Sequence, residues 1–178
     1  MPTRFRESNV EWAFDDDCRV AQYDTSSWYR RHFNACANSA AVDFVAVHQN
    51  TTWLIEIKNF TLSRPEPEKG PLWEIVTRKV RDTLAGLLAG AAHTGNDDER
   101  ALFREAIHAS RLRVVFHCER PAHQRRLFDS LPDAADLQAK LRQTLRPVDA
   151  HVRVIDCEHP LIGAPWTSTW SARHGDEG

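Results

Sequence analysis

The chain has 178 residues, 42% of them apolar and 27% charged, with a formal net charge of −2, which suits one domain with a sizeable core. Its apolar runs fall short of the roughly 20 residues that span a bilayer and MPTRFRESNVEW at the N-terminus holds no apolar leader, so a cytoplasmic protein with no membrane partner is expected. The near-neutral charge excludes a polycationic nucleic-acid coat protein but allows an enzyme with a local basic cleft.

Residues 10–23 run VEWAF, DDD, CRVAQY, the pattern of a small hairpin around an acidic turn, so residues 1–24 are expected to form an N-terminal hairpin extension. Asp24-Thr25-Ser26 is a helix start, and the helix should continue from about Ser26 to Asn34. AVDFVAVHQNTTWLIEIKNF, residues 41–60, is two apolar strands around a polar turn. Pro71 stands at a favoured first helical position. After it, Leu72, Val76, Val80, Leu84, Leu87, Leu88 and Ala91 recur at helical spacing. A shorter helix (DERALFREAIHAS), a buried strand (LRVVFHC, 112–118), two helices (HQRRLFDSL and ADLQAKLRQTL) and a last strand (HVRVIDC, 151–157) follow. PWTSTWSARHGDEG is a loop or short strand ending in a frayed tail over 170–178. The Pro- and charge-rich breaks at 63–71 and 93–99 are too short to be domain linkers. The expectation is one α/β domain, 1–178, with helices covering a mixed central sheet.

Four cysteines, Cys18, Cys36, Cys118 and Cys157, are scattered without a CxxC pair, as reduced and mostly buried thiols would be. His117, Cys118 and His123, with Cys157 and His159, are possible zinc ligands, but their spacings match no common zinc module. No P-loop, GxSxG or GxGxxG occurs, so nucleotide-triphosphate motors and serine hydrolases drop out.

The hairpin of residues 41–60 carries Asp43, Glu56 and Lys58 inside its apolar strands. With a turn at Asn50-Thr51 or Gln49–Thr52, Asp43 faces Lys58 directly and Val45 faces Glu56. Asp43 and Glu56 are then diagonal neighbours about 7–8 Å apart on one face. Burying these ions uncompensated costs several kcal/mol each. A hard cation such as Mg²⁺, which takes oxygen ligands and keeps waters, supplies the compensation. The Ile57 carbonyl is a candidate third ligand, and Lys58 would stand beside a metal-bound water. That arrangement suits attack of water on a phosphodiester. The alternative is an edge strand whose solvent face happens to show Glu56 and Lys58.

Asp43, twelve residues, then Glu56-Ile57-Lys58 on consecutive strands followed by a helix resembles the PD-(D/E)XK nuclease superfamily, over about residues 40–92. Val42 replaces that family's proline. The resemblance implies a restriction-endonuclease-like fold, Mg²⁺ (with Mn²⁺ able to substitute) and nucleic acid, DNA before RNA, as substrate. It also implies metal-binding carboxylates at Asp43 and Glu56 and a catalytic lysine at Lys58. An upstream acid would be Glu7 first and Glu11 second; Glu11 follows Ser8 by three residues, as in a capping box, and Asp24 is read as a helix cap. Lys79, on the next helix, is the candidate for contacting the scissile phosphate, with a solvated surface lysine as the alternative. Among the basic pairs, Arg30–Arg31 and Arg78–Lys79 are the nucleic-acid-binding candidates. Trp28 and Tyr29 beside them are either base-stacking or core residues. A homodimer or a subunit of a larger complex fits the reading, as does a non-catalytic binding module on the same fold.

Overall fold

The computed structural model describes residues 1–61, 70–121 and 131–171. Strands β1 (Thr3–Glu7), β2 (Val10–Phe14) and β8 (Trp166–Trp170) form an antiparallel sheet in the order β1-β2-β8. A second, five-stranded sheet runs β3 (Arg19–Gln22), β4 (Phe44–His48), β5 (Thr51–Asn59), β6 (Arg111–Glu119) and β7 (Arg153–Ile155) in that order. Its first three strands are antiparallel, whereas β6 and β7 join in parallel. Parallel neighbours need long crossovers. Helices α1 (Leu72–His93) and α2 (Asp97–His108) lie in the first crossover, and α3 (Ala134–Thr144) lies in the second. The expected α/β class with a mixed central sheet is observed.

Period-2 alternation sorts the side chains of the central sheet into two cores. Val45, Val47, Leu54, Val114, Phe116 and Cys118 join Val76, Val80 and Leu87 of α1, Phe103 of α2 and Leu141 of α3. Phe44, Ala46, Ile55, Ile57 and Val115 face the other way, onto Val10, Trp12, Phe14 and Trp166 of the small sheet. The central sheet is thus covered by helices on one side and by a second sheet on the other.

Three local expectations are corrected. The hairpin over 10–23 does not form: VEWAF pairs with Thr3–Glu7 and Trp166–Trp170, while Arg19–Gln22 pairs with β4. The acidic turn instead carries the chain between sheets, because β2 finds five-residue partners on both edges. The helix expected over 26–34 forms over 27–33, but it opens into a π-helical turn at Tyr29–Phe33 and is preceded by a 3₁₀ turn at Tyr23–Thr25. Tertiary bonds from Trp28 Nε1 to the Gly86 carbonyl (2.9 Å) and from the Tyr29 hydroxyl to the Ser39 carbonyl (2.9 Å) override a regular helix there. In α1, Leu88 is 64% exposed, since the buried stripe passes through Thr83, Leu87 and Gly90 instead. Pro71 caps α1 from just outside it. All of the expected helix HQRRLFDSL except Leu131, and nearly all of the 170–178 tail, lie outside the described residues. No helix among the described residues is long and apolar enough to cross a membrane.

Candidate active site

The β4–β5 turn occupies Gln49-Asn50, with φ of 45° and 60°; two left-handed residues make the two-residue hairpin turn that strand twist favours. This is one residue earlier than expected. The pairs run from Phe44↔Ile55 to His48↔Thr51, so the register has slid by two residues. An even slip keeps each side chain on its face, whereas an odd one would not. Continuing that register by one residue brings Asp43 level with Glu56 instead of Lys58.

Both carboxylates are withdrawn from solvent: Asp43 is 8% exposed and Glu56 0%. Asp43 Oδ2 accepts from the Ile57 N–H at 2.6 Å, and the Asp43 carbonyl accepts from the Tyr23 N–H at 2.7 Å. Helix α1 holds the preceding segment, because Ala40 N donates to Asp82 Oδ2 and Val42 N to Thr83 Oγ1, each at 3.0 Å. The same helix sends Lys79 to Glu56, with Nζ 2.6 Å from Oε1. Glu56 Oε2 is buried with no hydrogen-bond partner among the described residues.

These positions perturb Glu56, Asp43 and Lys79. Burial, then the Asp43 charge, pushes Glu56 well above the usual carboxylate range against the pull of Lys79. Burial likewise raises Asp43, opposed by Lys79 and by the Ile57 N–H. Burial works against the Lys79 ammonium, but the charges of Glu56 and Asp43 outweigh it and hold its pKa above the usual value. Lys58 adds a positive charge that both Asp43 and Glu56 feel.

Asp24 belongs to this constellation, which corrects its reading as a helix cap. It sits in the 3₁₀ turn after β3, and the helical segment that follows is capped by Ser26 Oγ, which accepts from Tyr29 N. Asp24 Oδ1 is buried without a partner among the described residues. Its pKa is pushed up to about 6 by burial, then by the charges of Asp43 and Glu7. Only a β3–β4 pairing could have shown this, since that pairing sets Gln22 beside Phe44.

Of the two upstream acids, Glu7 is near enough for its charge to reach Asp24. It lies on the inward side of β1, opposite Val10, and binds Gln22 Nε2 (2.8 Å) and the Ser8 hydroxyl (3.1 Å). Glu11 is exposed, on the face of β2 opposite to Val10, Trp12 and Phe14, and its partner is Ser171. No capping box forms, because Ser8 occupies the β1–β2 turn at φ 53°. Arg30 and Arg31 are exposed on the π-helical turn, and the Arg30 charge acts on Asp24. Arg78 is exposed on α1, lining a shallow cleft with Glu74, Thr77, Arg81 and Thr144. Trp28 is a core residue, 8% exposed.

No family model matches this chain, and no solved structure matches it. A cysteine–tRNA ligase of Neisseria meningitidis serogroup A, serotype 4A, is 28% identical over 165 residues, covering 76% of this chain and 24% of that protein. The chain therefore spans about a quarter of the length of the curated relative that it resembles.

Proposed function

We propose that this chain is a divalent-metal-dependent nuclease of PD-(D/E)XK type, on a restriction-endonuclease-like fold, with Asp43 and Glu56 as its metal ligands. The observation that carries the reading is the burial of two carboxylates side by side, one just before β4 and one on β5, with a Glu56 oxygen left without a partner among the described residues. An all-oxygen, like-charged donor set of this kind suits Mg²⁺ or Mn²⁺, whose charge would offset the burial that raises both pKa values and the Asp43 charge that raises Glu56 further. Bound there, the ion would supply Lewis acidity and a water of lowered pKa.

The chain's own groups do the rest. The Ile57 N–H fixes the orientation of Asp43. Lys79, held as a cation by Glu56, and Lys58 place positive charge where a phosphodiester would gather negative charge in the transition state. Arg30, Arg31 and Arg78 are exposed to meet backbone phosphates, which position a nucleic acid without reading its sequence. DNA is the first substrate to try, from the resemblance. The similarity to a tRNA ligase favours a second reading, a non-catalytic module that binds tRNA within a larger assembly.

The test is incubation of the protein with single-stranded DNA, duplex DNA and tRNA, each with Mg²⁺, Mn²⁺ or chelator. Metal-dependent cleavage is expected, and Asp43→Ala should lower its rate on the order of 100-fold or more. Intact substrates throughout, together with retained tRNA binding, would replace the nuclease by the binding module.

A further inference from the structure

The other face of the central sheet holds a second group of metal-binding side chains. His117 and Glu119 are two apart on β6 and therefore share a face. That face packs on the small sheet, with the Trp12 and His117 ring centroids 4.9 Å apart. Cys157 follows β7 and comes up beside them. His117 Nε2 is 2.6 Å from Glu119 Oε1 and 3.9 Å from Cys157 Sγ. The Cys157 N–H donates to the same Glu119 oxygen at 2.8 Å. One nitrogen, one sulfur and one carboxylate oxygen thus lie within 4.8 Å of one another.

The members differ from those the spacing suggested. Cys118 points to the helix side of the sheet, and His159 is exposed and bound to Asp156. His123 lies outside the described residues. Glu119, absent from the expectation, completes the group.

A Cys–His–Glu nucleophile relay does not account for the arrangement. Such a relay needs the acid on one ring nitrogen and the thiol on the other, but Glu119 and Cys157 both address Nε2. His117 Nδ1 is buried without a partner among the described residues. Convergence of all three donors on one point is instead what a bound cation requires. Thiolate, imidazole and carboxylate together are a Zn²⁺ donor set, with bonds of about 2.0–2.3 Å. His117 and Glu119 would need to part by less than about 1 Å to accept such an ion.

We propose that His117, Glu119 and Cys157 form a Zn²⁺ site, independent of the Asp43–Glu56 centre. It fastens the segment after β7, a strand of only three residues, to the C-terminal end of β6, where the chain turns back toward β8 in the other sheet. His117 and Glu119 are buried and Cys157 is half-buried, so the ion reaches the site past the cysteine. Three protein ligands leave the fourth position to water.

The test uses the full chain, stripped of metal and titrated with Co²⁺ as a spectroscopic probe and with Zn²⁺ against a chromophoric chelator. One equivalent of Co²⁺ should give a thiolate charge-transfer band. The band should vanish in Cys157→Ser and persist in Cys36→Ser and Asp43→Asn. Zn²⁺ affinity should fall on the order of 100-fold in Cys157→Ser and also in Glu119→Gln, which keeps the shape of the side chain. A wild-type protein without the band, a band that survives Cys157→Ser, or one lost in Asp43→Asn overturns the proposal. Nuclease assays read the other centre, so either proposal can fail while the other stands.

Discussion

Glu56 is fully buried, and Lys79 is the cation that makes its charge tolerable. Replacing Lys79 with Met leaves that carboxylate uncompensated, which should cost about 3–5 kcal/mol in metal-free protein, measured by urea unfolding in chelator. A loss within experimental error would mean that Glu56 is already protonated there. Asp24 gives the pH dependence. Its pKa is raised to about 6 by burial and by Asp43 and Glu7, so the folded state binds the proton more tightly than the unfolded chain. The resulting stabilisation is complete below the ordinary carboxylate pKa of about 4, and it is lost as pH rises through about 6. In chelator, the wild-type melting temperature should therefore drop more steeply between pH 5 and 7.5 than that of Asp24→Asn; parallel slopes would remove Asp24 from the site. Asp43, Glu56 and Lys58 were legible because charges inside apolar strands demand a reason. Asp24 was not, because an acid beside Thr and Ser is first a capping signal, and the pairing that buries it is between strands 22 residues apart in register partners such as Gln22 and Phe44.

At the scale of elements, α1 organises the site from three positions: Lys79 on Glu56, Asp82 on Ala40 and Thr83 on Val42. Its close packing on Tyr23 and Phe33 and on Phe103 of α2 depends on two glycines, Gly86 and Gly90. A Cβ at Gly86 would collide with Tyr23 Oη and stand 3.0 Å from Phe33; one at Gly90 would come within 2.6 Å of Phe103. Tyr23 is fully buried and cannot swing aside, so Gly86→Ala should cost about 1–3 kcal/mol. Tyr23→Phe deletes the clashing hydroxyl, which has no partner among the described residues. Alone it should be neutral or stabilising by up to about 1 kcal/mol, and in the double variant it should recover part of the Gly86→Ala loss. Additive effects in a double-mutant cycle would show that the hydroxyl is not the obstacle. The α1 stripe was legible at its 3.6-residue period, as was β6 as an apolar run. The small sheet was hidden: TRFRE is largely exposed, and its union with VEWAF and WTSTW spans nearly the whole chain.

For the whole molecule, a net charge of −2 conceals a steep local imbalance. Helix-side burial gathers Asp24, Asp43 and Glu56, with Glu7 close by, around Lys79 and Lys58. Such crowding is unfavourable in the fold on its own, so folding and cation binding should be linked, and the linkage has a sign that separates an ion site from a plain buried salt bridge. A ligand present at 100 times its dissociation constant stabilises the folded state by about 2.7 kcal/mol. Mg²⁺ or Mn²⁺ should therefore raise the melting temperature, and chelator should reverse the rise. Asp43→Asn keeps an oxygen for the Ile57 N–H and removes one of two neighbouring like charges. Its metal-free melting temperature should equal or exceed that of the wild type, while its response to Mg²⁺ should disappear. A substitution that merely broke a structural ion pair would do the opposite, lowering the metal-free value and leaving the response to added metal unchanged. Differential scanning calorimetry of the two proteins, with and without Mg²⁺, distinguishes these outcomes without requiring any substrate.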